Sequence, residues 1–153
     1  MNYSPMTPHL SQGSAPTALS DFAVLRADFD VLVLCAAEYQ PSGSLFPGIE
    51  VIHAPFDDAG DGPDGSDIQT ARAAAQAVVS RVRRGKRVLV TCWLGVNRSG
   101  LVTALALTDL LGISGAAAVD HVRARRPIAL RNPHFVSYLK RVPARQVRAK
   151  RRR

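Results

Sequence analysis

An apolar strand, a short loop and a helix start follow one another within residues 87–100. Val88, Leu89 and Val90 form a short β-branched-rich run that is typical of a buried strand. Ser99 stands where a helix cap is favoured, and leucines with helical spacing follow it. A strand–loop–helix unit directs the loop N–H groups and the positive helix end at one point. The stretch therefore predicts an anion-binding loop.

Cys92 and Arg98 stand at the two ends of this loop. The loop N–H groups and the positive end of the helix favour the thiolate form of a cysteine placed beside them, and a thiolate is a nucleophile at neutral pH. Arg98 offers a planar two-pronged donor that fits phosphate oxygens, and Ser99 can donate its hydroxyl to the sulfur. Gly95 permits a positive φ or a close approach of backbone to ligand. The predicted phosphate-binding residues are Trp93, Leu94, Gly95, Val96, Asn97 and Arg98.

The Cys-x5-Arg spacing alone is weak evidence, because arginine is common in this chain. On the alternative interpretation, Cys92 is a buried cysteine at a strand end and Arg98 is a surface residue. The combination of strand, Gly95, Ser99, Gly100 and a following helix favours the catalytic interpretation.

The run Cys92-Trp-Leu-Gly-Val-Asn-Arg98-Ser-Gly100 resembles the signature loop of cysteine-dependent protein phosphatases, Cys-x-x-Gly-x-x-Arg-Ser/Thr. It is most similar to the small dual-specificity group. The resemblance implies an α/β fold with a mostly parallel sheet of four to five strands flanked by helices. It also implies a phosphocysteine intermediate, with no metal and no other cofactor. Residues 125–135 and Leu139 resemble the segment that leads into the last helix of these enzymes.

The rest of the chain also predicts an α/β fold with both faces of the sheet covered. Continuous apolar runs predict strands over 30–37 and 50–54, the second ending at Pro55. Helices are predicted from a cap at Ser66 or Asp67 to about residue 84, over 116–126, and after a cap at Asn132. Residues 21–26 predict a short helix or turn.

An acid is expected on the loop after the second strand, because ligands of such sheets bind at the carboxyl ends of strands. A leaving alkoxide or phenoxide needs a proton, which a carboxylic acid can supply. The family's Pro-hydrophobic-x-Asp pattern falls on Pro55-Phe-Asp-Asp58 and points to Asp58, with Asp57 as the second candidate. Without the signature loop, both would be interpreted as solvated carboxylates.

The chain of 153 residues predicts one domain. Residues 1–18 are rich in Ser, Pro, Thr and Gly and are predicted to be disordered. Residues 19–142 form the predicted phosphatase-like domain, and 143–153 a basic disordered tail. Lys140–Arg153 holds eight basic residues and no acidic one, which accounts for the whole net charge of +8. This tail is either a solvated extension or a weak contact to nucleic acid or an acidic partner.

No apolar run approaches a membrane span, and no basic segment followed by an apolar one opens the chain. We therefore expect a cytoplasmic monomer that does not bind membranes. A reducing compartment would keep Cys92 as a free thiol. Cys35 is predicted to be a small buried residue, with a resolving role toward oxidised Cys92 as the alternative.

Two departures from the family pattern concern the signature loop. Thr91 stands where the family usually has a histidine that orders the loop, which leaves the reaction rate open. None of Trp93, Leu94, Val96 and Asn97 is basic, which argues against highly charged inositol lipids as substrates. No Cys/His spacing suggests zinc.

Three functions are compatible with these patterns. The favoured one is hydrolysis of phosphotyrosine in a phosphoprotein or phosphopeptide, with action on phosphoserine or phosphothreonine left open. The second is an RNA 5′-triphosphatase of the same superfamily, since those enzymes carry an Asn-Arg-Ser/Thr-Gly run like residues 97–100 but tend to lack the acid. The third is an inactive phosphate-binding module.

Overall fold

A five-stranded sheet organises the chain in the computed structural model, which describes residues 1–59 and 65–145. The strands stand in the order β1-β2-β5-β3-β4, where only β1 and β2 pair antiparallel. They are β1 Tyr3–Thr7, β2 Leu10–Ser14, β3 Val31–Ala36, β4 Glu50–Phe56 and β5 Val88–Cys92. The helices are α1 Leu19–Asp28, α2 Ser66–Arg83, α3 Arg98–Leu111, α4 Gly115–Arg125 and α5 Pro133–Lys140, with a 3-10 turn at Gly43–Leu45. The predicted α/β fold is confirmed.

Side chains of the central strands alternate between two apolar cores, one on each face of the sheet. Val31, Val33 and Cys35 of β3 join the larger core with residues of α2, α3, α4 and α5. Leu32 and Leu34 face the opposite core, which includes residues of α1. Both faces are thus covered, which explains why β3 and β5 read as continuous apolar runs in the sequence.

The prediction that residues 1–18 are disordered is wrong, because this segment forms a hairpin that extends the sheet. Strand β2 pairs in parallel with β5, with Leu10 opposite Val88 and Ser14 opposite Cys92. The backbone N–H and C=O groups along one edge of β5 need hydrogen-bond partners, and β2 supplies them. The gain from this pairing outweighs the low strand preference of a Ser- and Gly-containing segment. The hairpin therefore ends directly beside the predicted nucleophile.

The helix starts agree with the sequence prediction for α5 and differ from it for α2 and α3. Asn132 caps α5 as predicted, and its Oδ1 accepts the His134 N–H at 2.9 Å. Gly65 caps α2, so neither Ser66 nor Asp67 does. Asn97 precedes α3, which places Ser99 inside the helix instead of at its cap. Ser99 is thereby freed for another contact.

Strand β4 continues through Pro55 to Phe56, although Pro55 was predicted to end it. This is possible because β4 is an edge strand, where the missing N–H of proline leaves no ladder bond unmade. The pairing shifts between Leu34–His53 and Ala36–Phe56, so β4 carries an extra residue there. The irregular end of β4 leads into the loop that holds Asp58.

The last described residues run past α5. Of the predicted tail 143–153, residues 146–153 lie outside the described part of the chain. Arg145 Nε lies 2.9 Å from Asp109 Oδ1 of α3. Among the described residues, no single helix is long and apolar enough to cross a membrane, and α3 and α4 reach that length only together, as a pair bent by 116°.

Candidate active site

The nucleophile candidate lies at the end of β5, directly below the start of α3. Cys92 is buried, and its Sγ lies 3.2 Å from Ser99 Oγ. Gln12 Nε2 donates to the same Ser99 oxygen at 3.2 Å. Because Ser99 Oγ accepts that bond, its own hydrogen is available to the sulfur. The three side chains form a short chain of hydrogen bonds that can stabilise a thiolate.

Two carbonyls of the loop between β5 and α3 are held by backbone N–H groups from distant segments. Trp93 O accepts from the Ala15 N–H at 3.3 Å, and Val96 O accepts from the Leu130 N–H at 2.9 Å. The first donor follows β2, and the second precedes α5. The loop is therefore fixed at both ends by the hairpin and by the segment after α4.

The carbonyls of Leu94 and Gly95, in the middle of the loop, accept hydrogen bonds from side chains. Gly95 O accepts from Arg126 Nε at 2.7 Å and from Gln12 Nε2 at 3.1 Å. Leu94 O accepts from Arg126 Nη2 at 3.4 Å. Arg126 and Gln12 are both buried.

Holding the carbonyls determines where the N–H groups of the loop point. Every described peptide bond is trans, so the N–H that follows each carbonyl points the opposite way. With the carbonyls of residues 93–96 turned toward the protein, the N–H groups of residues 94–97 turn toward the other side of the loop. This is the arrangement of backbone amides that binds an anion.

Gly95 is required by both its backbone angle and its surroundings. Its φ is +67°, as the sequence analysis allowed. A Cβ at this position would lie 2.6 Å from Arg126 Nη2 and 2.6 Å from the carbonyl carbon of Gly13. The loop can approach β2 this closely only with glycine.

Arg98 is oriented by a carboxylate that the sequence analysis missed. Its Nη1 and Nη2 each lie 2.6 Å from a carboxylate oxygen of Glu38, and Nη1 also donates to Phe56 O at 3.3 Å. A guanidinium has five N–H donors, so three are used and two remain. The remaining pair is Nε–H and one Nη2–H, which share one edge of the planar group. Arg98 therefore keeps one two-pronged edge for phosphate.

The charges of this site act on one another. The Arg98 guanidinium, as hydrogen-bond partner, lowers the pKa of Glu38 to about 2. The pKa of Arg98 is raised, first by that hydrogen bond and then by the charges of Cys92, Glu38 and Asp58. Both members of the ion pair thus stay charged throughout the neutral range.

We expect Glu38→Gln to lower kcat/KM on an aryl phosphate by about tenfold, because the neutral amide cannot hold both guanidinium nitrogens. Glu50→Gln is the matched control, since Glu50 forms a similar pair with Arg81 away from the loop. Steady-state kinetics of both variants measure the effect. Equal activities would show that Arg98 needs no orienting carboxylate.

Asp58 is bound to the signature loop and to the start of α5. Its Oδ2 accepts from Asn97 Nδ2 and its Oδ1 from Asn132 Nδ2, both at 3.0 Å. Asn97 Oδ1 in turn accepts the N–H groups of Arg131 and Asn132 at 2.7 Å each. Asp57 is exposed, and its side chain makes no hydrogen bond with another described residue. Of the two acid candidates, the structure therefore brings Asp58 to the loop.

Thr91 precedes the nucleophile on β5, and Cys35 lies beside it on the neighbouring strand β3. The Thr91 hydroxyl donates to Val33 O of β3 at 2.8 Å, so it binds across the sheet. Leu34 pairs with Thr91 in the parallel register, which places Cys35 next to Cys92. Both cysteines are free thiols, and burial raises the pKa of Cys35.

Within the described ranges, no group of three His, Cys, Asp or Glu residues could hold a metal ion.

A family model of the dual specificity phosphatase catalytic domain matches residues 12–144. The chain belongs to the dual specificity phosphatase family. The match begins inside β2 and ends after α5. The predicted family and the predicted enzyme class, a cysteine-dependent phosphatase, are confirmed.

Individual proteins of known sequence or structure are also similar to this chain. Human dual specificity phosphatase 28 is 32% identical over 136 residues, which are 88% of this chain and 73% of that protein. The crystal structure of human DUSP28 has a TM-score of 0.74 at 29% identity and covers 90% of each chain. That of Tk-PTP in the active form has a TM-score of 0.78 at 28% identity, covering 90% of this chain and 93% of the other.

Three residues that shape this phosphatase site were missed from the sequence, namely Glu38, Gln12 and Arg126. Glu38 follows β3 at its carboxyl end, which is the edge where ligand-binding residues are expected. That position could have identified it. Gln12 and Arg126 carry no comparable signal, because one lies in a segment predicted to be disordered and the other in an arginine-rich run.

Proposed function

We propose that this dual specificity phosphatase hydrolyses phosphotyrosine monoesters in proteins or peptides through a phosphocysteine intermediate, with Asp58 as the general acid. The observation that carries the proposal is the hydrogen bond between Asp58 and Asn97 of the signature loop. It keeps a carboxyl group beside the loop that contains Cys92 and Arg98. A proton donor in that place is needed for monoesters, whose leaving oxygens are strongly basic.

In the first step, Cys92 Sγ attacks phosphorus while the P–O bond to the tyrosyl oxygen breaks. Asp58 gives its proton to that oxygen, and tyrosine leaves. The free edge of Arg98 and the N–H groups of residues 94–97 bind the phosphoryl oxygens as their charge develops. Water then attacks the phosphocysteine and gives a proton to Asp58. The Ser99 hydroxyl donates to the departing sulfur, and phosphate is released.

Exposed apolar side chains on the loop support an aryl substrate. Trp93 is 47% exposed and Leu94 66% exposed, although each follows the nucleophile by only one or two residues. The Trp93 ring meets the Tyr39 ring edge-on, with centroids 6.0 Å apart. Tyr39 follows Glu38 in the sequence, and Trp93 follows Cys92, so both rings belong to segments that contribute a side chain to the site. An aromatic phosphoester can stack there, whereas a phosphoserine side chain is too short to gain the same contact.

Replacement of Asp58 by asparagine tests the proposed acid. We expect kcat on a phosphotyrosyl peptide to fall by roughly a hundredfold or more, because asparagine keeps the size and shape of the side chain but has no proton to give. The loss should be smaller on an aryl phosphate whose leaving group is already weakly basic. Steady-state kinetics on both substrates measure this difference.

Asp57→Asn is the matched control, since it removes an adjacent charge from the same loop. We expect it to stay within about threefold of the unmodified protein. A larger loss with Asp57→Asn than with Asp58→Asn would assign the acid to Asp57. Turnover of triphosphate-ended RNA exceeding that of the phosphopeptide would contradict the proposed substrate class, and no turnover of either would favour the inactive module.

A further inference from the structure

We propose that Arg126 is a positioning residue that holds the phosphate-binding loop in its anion-binding shape and supplies the uncompensated positive charge behind it. This inference deepens the proposed function and rests on it for the substrate. Arg126 does not reach the substrate itself, since its donors end on the carbonyl side of the loop.

The contacts of Arg126 join three parts of the chain. Nε donates to Gly95 O at 2.7 Å and Nη2 to Leu94 O at 3.4 Å, both in the loop. Nη2 also donates to Asn2 Oδ1 at 2.6 Å, and Nη1 to Ser4 Oγ at 3.1 Å. One planar group thus fixes two loop carbonyls against the N-terminal hairpin. By the trans geometry of the peptide, it also aims the next two N–H groups at the anion site.

The charge of Arg126 is not neutralised by a carboxylate. Its partners above are all neutral oxygens, and no Asp or Glu in the described ranges lies within 4.0 Å of its nitrogens. Its residue exposure is only 4%, and burial lowers the pKa of Arg126 while the charge of Cys92 opposes that shift. Arginine nevertheless remains protonated in proteins.

Arg98 presents the opposite case, because Glu38 balances its charge. The loop itself contains no basic residue between Cys92 and Arg98. The negative charge of a bound phosphate dianion or of a thiolate is therefore balanced by Arg126 and by the N–H groups of the loop. A buried charge without a counter-ion is costly, and an anion at the loop relieves that cost.

The test compares Arg126→Met and Arg126→Lys with the unmodified protein. We expect Arg126→Met to weaken the binding of inorganic phosphate, measured by calorimetry, by about tenfold or more. We expect kcat/KM on a phosphotyrosyl peptide to fall about a hundredfold, because a displaced loop misplaces both the amides and the sulfur. Arg126→Lys should bind phosphate better than Arg126→Met, since it keeps the charge, but should recover little of kcat.

Arg125→Met is the matched control, because Arg125 is the exposed neighbour on α4. Among the described residues, its side chain donates only to His121 O of its own helix. It should bind phosphate and turn over substrate as the unmodified protein does. Thermal unfolding of each variant shows whether the fold is retained. If Arg126→Met does not fold, the phosphate affinities of two other variants test the proposal. One is Arg126→Lys. The other is the double variant Asn2→Ala/Ser4→Ala, which removes the hairpin partners of the guanidinium.

Phosphate affinity that is unchanged in Arg126→Met, or in the other two variants if that one does not fold, would overturn the proposal. Calorimetry with inorganic phosphate requires no turnover, so the result is independent of whether phosphotyrosine is the substrate. Unmodified protein that binds phosphate but does not hydrolyse the peptide would contradict the proposed function and leave the role of Arg126 in binding measurable.

Discussion

Replacing Cys92 by serine should abolish turnover of an aryl phosphate while leaving inorganic phosphate bound with nearly unchanged affinity. The hydroxyl of serine is a poor nucleophile at neutral pH, and no other nucleophile in the loop can take its place. The anion-binding amides do not depend on the sulfur, because the carbonyls that orient them are held by Ala15, Gln12, Arg126 and Leu130. Catalysis and binding should therefore separate completely in this variant.

Steady-state kinetics and calorimetry with phosphate measure the two properties. Cys35→Ala is the matched control, since Cys35 is the other cysteine of the chain and lies beside Cys92 on β3. It should retain activity, at some cost in thermal stability from the lost core volume. More than a trace of turnover by Cys92→Ser would show that Cys92 is not the nucleophile. Loss of phosphate binding would show that the sulfur, and not the surrounding protein, shapes the loop.

The sequence was sufficient where the determinants of the site are contiguous. Strand β5, the loop and α3 follow one another directly, so apolar pattern, Gly95 and the Cys92–Arg98 spacing together predict the unit. Ser99 was expected at the helix cap near the sulfur, and its Oγ does lie 3.2 Å from Cys92 Sγ, but from a position inside the helix. Asp58 could be selected over Asp57 only through the family pattern, because neither residue carries a local signal.

The sequence was insufficient where the determinants are distant along the chain. Glu38 meets Arg98 across 60 residues, and Gln12 meets Gly95 across 83. Such contacts depend on strand order, which a single sequence does not specify. The N-terminal hairpin was missed for the same reason. Its residues have low strand preference, and only the edge of β5 makes them a strand.

Arg98→Lys should be almost as damaging as Arg98→Ala, with kcat/KM reduced by roughly a hundredfold or more in both. The structure explains why the positive charge alone is insufficient. Arg98 uses three N–H donors on Glu38 and Phe56 O, and keeps two on one edge for phosphate. A lysine ammonium has three donors on one atom, so it cannot bind Glu38 and two phosphate oxygens in one plane.

Arg87→Lys is the matched control for this prediction, because Arg87 also forms a two-pronged pair, with Asp30, at the opposite end of β5. Its change should leave kcat/KM within about twofold, since an exposed ion pair contributes little. The comparison of the two lysine variants on an aryl phosphate isolates geometry from charge. If Arg98→Lys retained activity within threefold of the unmodified protein, the positive charge alone would suffice. The Glu38 pair would then have no part in presenting the guanidinium edge to the substrate.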